Sequence, residues 1–296
     1  PTDLIALGSC TKSVTGLVAA RLVRAGKLRW NTRLFALLPD LRPDARRDYD
    51  PVTLEQLLAH RAGIKPLTGQ NGEVLPDAHL LTDTSPRARI HLARWVLNFA
   101  PVRSEKPYIY SNAGYTLAAL MLERASGLTW EQLVDQELQR VGIRAYFTFP
   151  NELNTANVWL HDEGGLPVAP HENSEAGVRA GLAPGGLVFM TFTDALRYVQ
   201  LHLRGELGQS DYLSPSEFRF IHCGLPEYAI GWGCKDVDGR RNIMHRGNLG
   251  GRSWCLLQLI PAQNIGIALC TNVGDKGTGD ALLYLRDQLV RHFARP

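Results

Sequence analysis

The sequence predicts a mixed fold of the α/β (α+β) class: an antiparallel sheet flanked by helices, joined to a mostly helical subdomain. Three observations carry this. Helical spacing of apolar residues recurs through the first two thirds of the chain. Four short apolar runs separated by turn residues follow near the C-terminus, and an amphipathic helical pattern closes it. With 296 residues, 45% hydrophobic and 21% charged, the chain is long enough to bury a full core, and disorder, collagen and coiled coil are excluded.

Taken in order, residues 12–26 (KSVTGLVAARLVRAG) place Val14, Leu17, Val18, Leu22 and Val23 at helical spacing, with Gly26 as terminator. A helix beginning near Ser9 is predicted. Thr53-Leu-Glu-Gln56 and Thr129-Trp-Glu-Gln132 read as capping boxes, in which a hydroxyl and the side chain three residues on satisfy each other's free amides. Ser214-Pro-Ser-Glu217 adds proline at the first helical position. Further helical patterns fall at about 85–98, 113–126 and 193–204. The runs at 228–235, 242–246, 253–260 and 264–273 read as an antiparallel meander. At 280–293, Leu282, Leu285, Leu289 and Phe293 share one face, which predicts a last helix covering that sheet. No repeat or linker interrupts the pattern, so 1–296 reads as one unit. Residues 1–38 and 181–296 would form its sheet-containing subdomain and 39–180 its helical one, with the site in the cleft between them.

Composition removes whole function classes. Lys plus Arg number 32 against 29 Asp plus Glu, and the two signs alternate, which is no nucleic-acid footprint. No run of about 18 apolar residues exists, so no membrane span is expected. The 9 histidines include no pair two to four residues apart and the 5 cysteines no C-x-x-C, so no local metal site is expected. The odd cysteine count also argues against a disulfide framework and leaves most cysteines as small buried apolar residues. The glycine-rich phosphate loops and the G-x-S-x-G elbow are absent. The chain opens on Pro1 without a basic-then-apolar leader, so a segment upstream is expected and no compartment is assigned. Oligomeric state is not legible.

Three short blocks carry chemistry. Ser9-Cys-Thr-Lys12 sets a hydroxyl and an amine on one side of a helix start, where backbone N–H groups and the helix dipole favour developing negative charge. Alone the spacing is weak, since a Ser three residues before a Lys arises by chance about once in a chain this long. Tyr110-Ser-Asn112 aims a phenol and an amide from a loop entering a helix. A lysine or tyrosine at its ordinary pKa near 10 is in base form in only about one molecule in a thousand at pH 7. Placed together they relieve this, since the Lys12 ammonium favours the Tyr110 phenolate and burial favours neutral Lys12; either state gives a base for Ser9. His245-Arg-Gly247-Asn248 precedes a glycine pair and an apolar strand, and can line a sheet edge that takes backbone hydrogen bonds from a substrate. His222-Cys-Gly224 fits the same tripeptide, but follows a helical pattern rather than a strand. Each block alone also fits a plainer use: an N-cap serine, a turn asparagine beside a half-buried tyrosine, a structural histidine.

In this order the blocks resemble the family of class C beta-lactamases, D-alanyl-D-alanine carboxypeptidases, D-aminopeptidases and related esterases. GSCTK at 8–12 is similar to its S-x-x-K block, YSNAGY at 110–115 to Y-x-N, and HRG at 245–247 to the H-x-G that replaces K-T-G in its peptidase and esterase branches. LLAHRAG at 57–63, APGGLVFMTFTDALRYV at 183–199 and NIGIALCTN at 264–272 resemble supporting segments, so the likeness runs from residue 4 to about 290. It implies a beta-lactamase/transpeptidase-like fold and a serine hydrolase acting through an acyl-enzyme on a small ester, amide or beta-lactam, with no metal or organic cofactor. Ser9 would be the nucleophile, Lys12 and Tyr110 its proton-transfer partners, and Asn112 a donor to the substrate amide. His245 would stand for the third-motif lysine, and the Ser9 and Asn248 backbone amides would form the oxyanion hole beside Gly247. Two other uses of the fold are a penicillin-recognising module without turnover and a biosynthetic acyltransferase. The family's two strands ahead of S-x-x-K are not in this sequence, so either they lie in a segment upstream of it or the sheet is smaller, with an open edge. Arg246 stands where the family usually has Thr; it or Arg252 is a candidate partner for a substrate carboxylate. RVGIRAY at 140–146 departs from the family pattern without a functional reading.

Overall fold

The computed structural model describes residues 3–69, 73, 76, 87–106, 108–148, 160–161, 165–168 and 176–294. Residues 85 and 86 of the helical pattern at 85–98 lie outside them. After β1 (Leu4–Ala6) a single tight turn at Gly8–Cys10 leads into α1 (Thr11–Arg24), so the helix starts two residues past Ser9. The helical part follows as α2 (Leu34–Leu37), α3 (Leu54–Leu58), α4 (Arg87–Leu97), α5 (Asn112–Ser126) and α6 (Trp130–Gln139). Short strands β2 (Leu160–His161) and β3 (Pro167–Val168) pair with each other, and α7 (Ala176–Gly186) leads to β4 (Phe189–Thr191), which pairs antiparallel with β1. Then come α8 (Phe192–Glu206) and α9 (Pro215–Cys223). The meander is β5 (Gly233–Val237), β6 (Arg240–Asn248), β7 (Trp254–Ile260) and β8 (Ile265–Thr271), closed by α10 (Lys276–Phe293).

All three capping boxes form. Thr53, Thr129 and Ser214 each accept from the amide three residues on, and Gln56, Gln132 and Glu217 each reach back. The four strands lie antiparallel in sequence order. Alternation along β7 divides the interior: Cys255, Leu257 and Leu259 join the main core with Val14, Leu17 and Val18 of α1, while Leu256 and Ile260 face α10. Buried residues occupy every side of α1, among them Lys12, Ser13 and Thr15. This helix is the axis on which the other elements pack.

Three expectations are corrected. The run at 228–235 is not a strand until Gly233: Ile230 N–H bonds to Ile221 O and Ala229 N–H to Trp232 O, so its backbone is used by α9 and a local turn. The last helix covers the sheet with a different face. Leu283, Leu289 and Val290 pack on it, whereas Leu285 and Phe293 are 45% and 60% exposed. The packed stripe includes Gly279, where a β-carbon would stand 2.9 Å from the Trp254 ring, and Arg286, which reaches Gln258 Oε1 at 3.4 Å; apolar spacing cannot reveal such a face. Thirdly, Cys223 and Cys234 form a disulfide, with Cα atoms 5.3 Å apart, joining the end of α9 to β5. The intervening loop doubles back, which cysteine spacing does not announce. Cys10 and Cys255 are free and buried, and Cys270 is partly buried. No helix among the described residues is long and apolar enough to cross a membrane.

Candidate active site

The site is built where α1, α5, α7 and β6 meet. Ser9 and Lys12 are three positions apart, so both side chains leave the same side of the helix start. Lys12 is fully buried. Its Nζ lies 3.3 Å from Ser9 Oγ, 2.6 Å from Asn112 Oδ1 and 2.6 Å from the carbonyl oxygen of Gly185. Gly185 is in the last turn of α7, where helix geometry leaves carbonyls without an internal partner. Asn112 opens α5, whose N-cap Ser111 accepts from Gly114 N–H at 2.9 Å. The Asn112 amide nitrogen donates to Leu67 O at 2.7 Å, which turns Oδ1 toward Lys12. Burial pulls the Lys12 amine down to about 7, with neighbouring Cys10 opposing it.

The Tyr110 ring centroid lies 4.7 Å from the same Nζ. Burial pushes this phenol above its ordinary range, with the nearby Ser9 side chain acting against the rise. His245 is buried, its ring 6.4 Å from that of Tyr110. Nδ1 stands 2.8 Å from Arg246 O and Nε2 3.0 Å from the Tyr228 hydroxyl. Since a carbonyl only accepts, Nδ1 carries the proton and Nε2 accepts from Tyr228. Burial, and then the Lys12 charge, pull His245 down to about 3. Tyr228 was invisible as a site residue in the sequence, being one aromatic in a run that reads as strand.

Pairing of β5 with β6 ends at Gly233↔Met244, so residues 245–248 keep β7 on one side and turn their other edge to the Gly8–Cys10 turn. The backbones touch there: a β-carbon on Gly247 would strike the Leu7 carbonyl oxygen, and one on Gly8 would lie 3.0 Å from the Asn248 nitrogen. Glycine at 247 is what lets the turn that carries Ser9 sit against the strand. The Asn248 side chain is occupied, donating to Gly274 O at 3.0 Å and accepting from Gly251 N–H at 2.6 Å.

Ser9, Lys12, Tyr110, Asn112, His245 and the backbone of Gly247 and Asn248 are thus brought together. Arg246 is not: it is exposed, and its guanidinium lies 5.7 Å from the ring of Trp254, whose indole N–H bonds to Asp275 O at the start of α10. His222 lies elsewhere, with Nδ1 2.7 Å from Glu206 Oε1 and Nε2 2.7 Å from His202 Nδ1. Among the described residues no three His, Cys, Asp or Glu side chains form a group fit for a metal ion.

Comparison with known proteins gives the same frame. A protein from Amycolatopsis lactamdurans named Penicillin-binding protein 4 is 26% identical over 292 residues, covering 90% of this chain and 71% of its own length. Protein flp of Staphylococcus aureus is 22% identical over 99% of this chain, which spans only 57% of that relative. Among solved structures, an octameric penicillin-binding protein homologue from Pyrococcus abyssi aligns with a TM-score of 0.73 at 22% identity, over 98% of this chain and 66% of that one. A class C beta-lactamase variant aligns at 0.69 and 17% identity, over 93% and 79%. These structural matches are likenesses of fold. The family model described as Beta-lactamase matches residues 1–291, so the chain belongs to the beta-lactamase family, whose members include serine hydrolases, esterases, D-aminopeptidases and beta-lactamases.

Proposed function

We propose that this protein is a serine hydrolase that acylates Ser9 and hydrolyses small esters or amides. One observation carries the reading. A neutral amine has two N–H bonds and one lone pair, and Lys12 Nζ has two acceptors at 2.6 Å, Asn112 Oδ1 and Gly185 O. Both N–H bonds are used, and the lone pair is left for the third neighbour, Ser9 Oγ at 3.3 Å. Burial supplies the neutral amine near pH 7, while Tyr110 stays a phenol. Lys12 is therefore the base and Tyr110 the proton donor. Sequence alone left that choice open.

In the forward step Ser9 Oγ bonds to the substrate carbonyl carbon as its proton passes to Lys12 Nζ. Negative charge on the carbonyl oxygen falls to the Ser9 and Asn248 backbone amides. The bond to the leaving alcohol or amine then breaks as that group takes a proton through Tyr110, and water releases the acyl group in a second round. Asn112 spends both ends of its amide on Leu67 O and Lys12, so its role is to hold the base. His245 is neutral and Arg246 lies over Trp254, so neither supplies a cation beside Ser9 for a substrate carboxylate. That favours uncharged esters and amides over beta-lactams, and one structural neighbour is a D-stereospecific amidohydrolase.

The test is incubation with p-nitrophenyl acetate and, separately, a chromogenic cephalosporin at pH 7 to 9, beside Ser9→Ala, following colour and intact mass. Turnover of the ester lost in the variant, with an acyl adduct on Ser9, is the expected result. A single product equivalent without turnover would favour a penicillin-recognising module, and acyl transfer to added alcohols or amines an acyltransferase. Equal inertness of both proteins would sink the catalytic reading.

A further inference from the structure

Tyr110 stands between two backbone amides that one residue of another segment holds. Ile109 N–H donates to the carbonyl oxygen of His60 at 2.9 Å, and Ser111 N–H donates to His60 Nδ1 at 3.0 Å. The His60 ring centroid lies 4.3 Å from that of Tyr110, 4.6 Å from Tyr228 and 5.3 Å from Tyr115. His60 follows α3, is buried, and has a left-handed backbone with φ of 61°.

Two features of His60 run against packing as its sole purpose. A histidine at positive φ is strained relative to glycine. With Nδ1 accepting from Ser111, the ring proton sits on Nε2, and Nε2 is buried without a hydrogen-bond partner. An apolar residue would avoid that unmet donor. What the imidazole alone supplies here is an acceptor aimed at the amide next to Tyr110. Burial, with the Lys12 charge adding, keeps the ring well below its ordinary range, so Nδ1 remains unprotonated.

We propose that His60 is a positioning residue for Tyr110, fixing the phenol against Ser9 by holding the amides on both sides of it. This rests on the serine-hydrolase reading, and it adds a residue that touches neither Ser9 nor substrate. The Ile109 bond uses the His60 backbone and survives substitution; the Ser111 bond does not. Misplacing a reacting group by about 1 Å costs on the order of a hundredfold in rate.

The experiment compares His60→Ala, His60→Gln and His60→Asn with wild type. Asparagine tolerates left-handed backbone and sets its Oδ1 near the place of Nδ1, whereas glutamine carries its amide one bond farther. Two quantities are read: the rate at which Ser9 displaces fluoride from a fluorophosphonate probe to form a phosphonyl ester, followed by mass and taken as the measure of the acylation step, and amide exchange in a peptide spanning 108–113. We expect acylation to slow about tenfold to a hundredfold in the Ala and Gln variants, with faster exchange at Ser111. In His60→Asn both readings stay near wild type. Should the Ala variant fail to fold, Asn against Gln carries the decision. Wild-type acylation rates in Ala and Gln, or a loss in Asn as deep as in Ala, would overturn the proposal while leaving Ser9 as nucleophile. An unlabelled wild-type Ser9 would instead remove the hydrolase reading, and the positioning role with it.

Discussion

Acylation of Ser9 should follow the ionisation of Lys12, and the structure fixes where. A lysine at its ordinary value of 10.5 would be neutral in about one molecule in three thousand at pH 7, whereas at about 7 half the molecules carry the free amine. The groups facing it are Tyr110, Tyr115, His60, His245 and Cys10. Burial holds both phenols above and both imidazoles below their ordinary ranges, so none of those four exchanges a proton between pH 5 and 9. The limb therefore belongs to one amine. Below pH 7 the burst-phase acylation rate should fall about tenfold per pH unit and above pH 8 it should level off, without the loss that a titrating Tyr110 would bring. The assay is stopped-flow release of p-nitrophenol from pH 5 to 9, with the rate of product formation corrected for the ionisation of p-nitrophenol itself. A flat profile, or one whose midpoint lies near 10, would refute the neutral-lysine argument.

Other outcomes follow from the same geometry. Lys12→Met should be stabilised relative to wild type at pH 6 and should lose that advantage toward pH 10. Wild-type Lys12 titrates lower folded than unfolded, so the folded state binds fewer protons between about 7 and 10.5 and wild-type stability rises with pH across that window. The gap is at most on the order of 4 kcal/mol, reduced by the two acceptors left without a donor; denaturant unfolding at the two pH values measures it, and an unchanged gap would contradict the assignment. Gly247→Ala drives a β-carbon into the Leu7 carbonyl, so acylation should drop at least about a hundredfold while far-ultraviolet circular dichroism is kept. Tyr228→Phe removes the donor to His245 Nε2 and should cost about 1 to 2 kcal/mol in unfolding free energy, with a several-fold slower acylation. Replacing Cys223 and Cys234 together by serine should lower stability by about 2 to 3 kcal/mol, as for a closed loop of 11 residues, and leave the pH midpoint of acylation where it was.

Most helices were legible because each carries its own punctuation. Thr53, Thr129 and Ser214 start helices where a hydroxyl and a side chain three residues on satisfy free amides, a local exchange that needs no tertiary partner. Strands β6, β7 and β8 were legible as apolar runs between turns. The face of α10 was not, because Gly279 and Arg286 meet the sheet through the shape of Trp254 and the amide of Gln258, neither of which shows in apolar spacing. The residues that the sequence singled out and the fold brings together are those whose chemistry is named by type at short spacing: Ser9 with Lys12, Tyr110 with Asn112. Tyr228 and His60, which the sequence did not single out, reach the same place through contacts with residues 17 and 51 positions away in the chain. Arg246, named with them from the sequence, stands apart from the cluster because strand alternation sends it to the face opposite His245, where its guanidinium lies over Trp254.

The chain buries a cation in two ways, and the contrast bears on what Lys12 is for. Arg89 is 1% exposed, and its guanidinium meets Glu123 at 2.6 Å and Glu131 at 2.8 Å, so two carboxylates answer the charge and its pKa rises. That is the arrangement a buried charge needs when it serves packing between α4, α5 and α6. Lys12 is buried as deeply, yet its hydrogen-bonding neighbours are an amide oxygen, a backbone carbonyl and a hydroxyl, all uncharged. A charge so placed is destabilised, and the amine responds by giving up its proton near neutral pH. One carboxylate beside Lys12 would have stabilised the fold and abolished the base. Among the described residues no countercharge contacts Nζ, and under the proposed reading this uncharged surrounding, beside the Ser9 hydroxyl, is where stability gives way to chemistry.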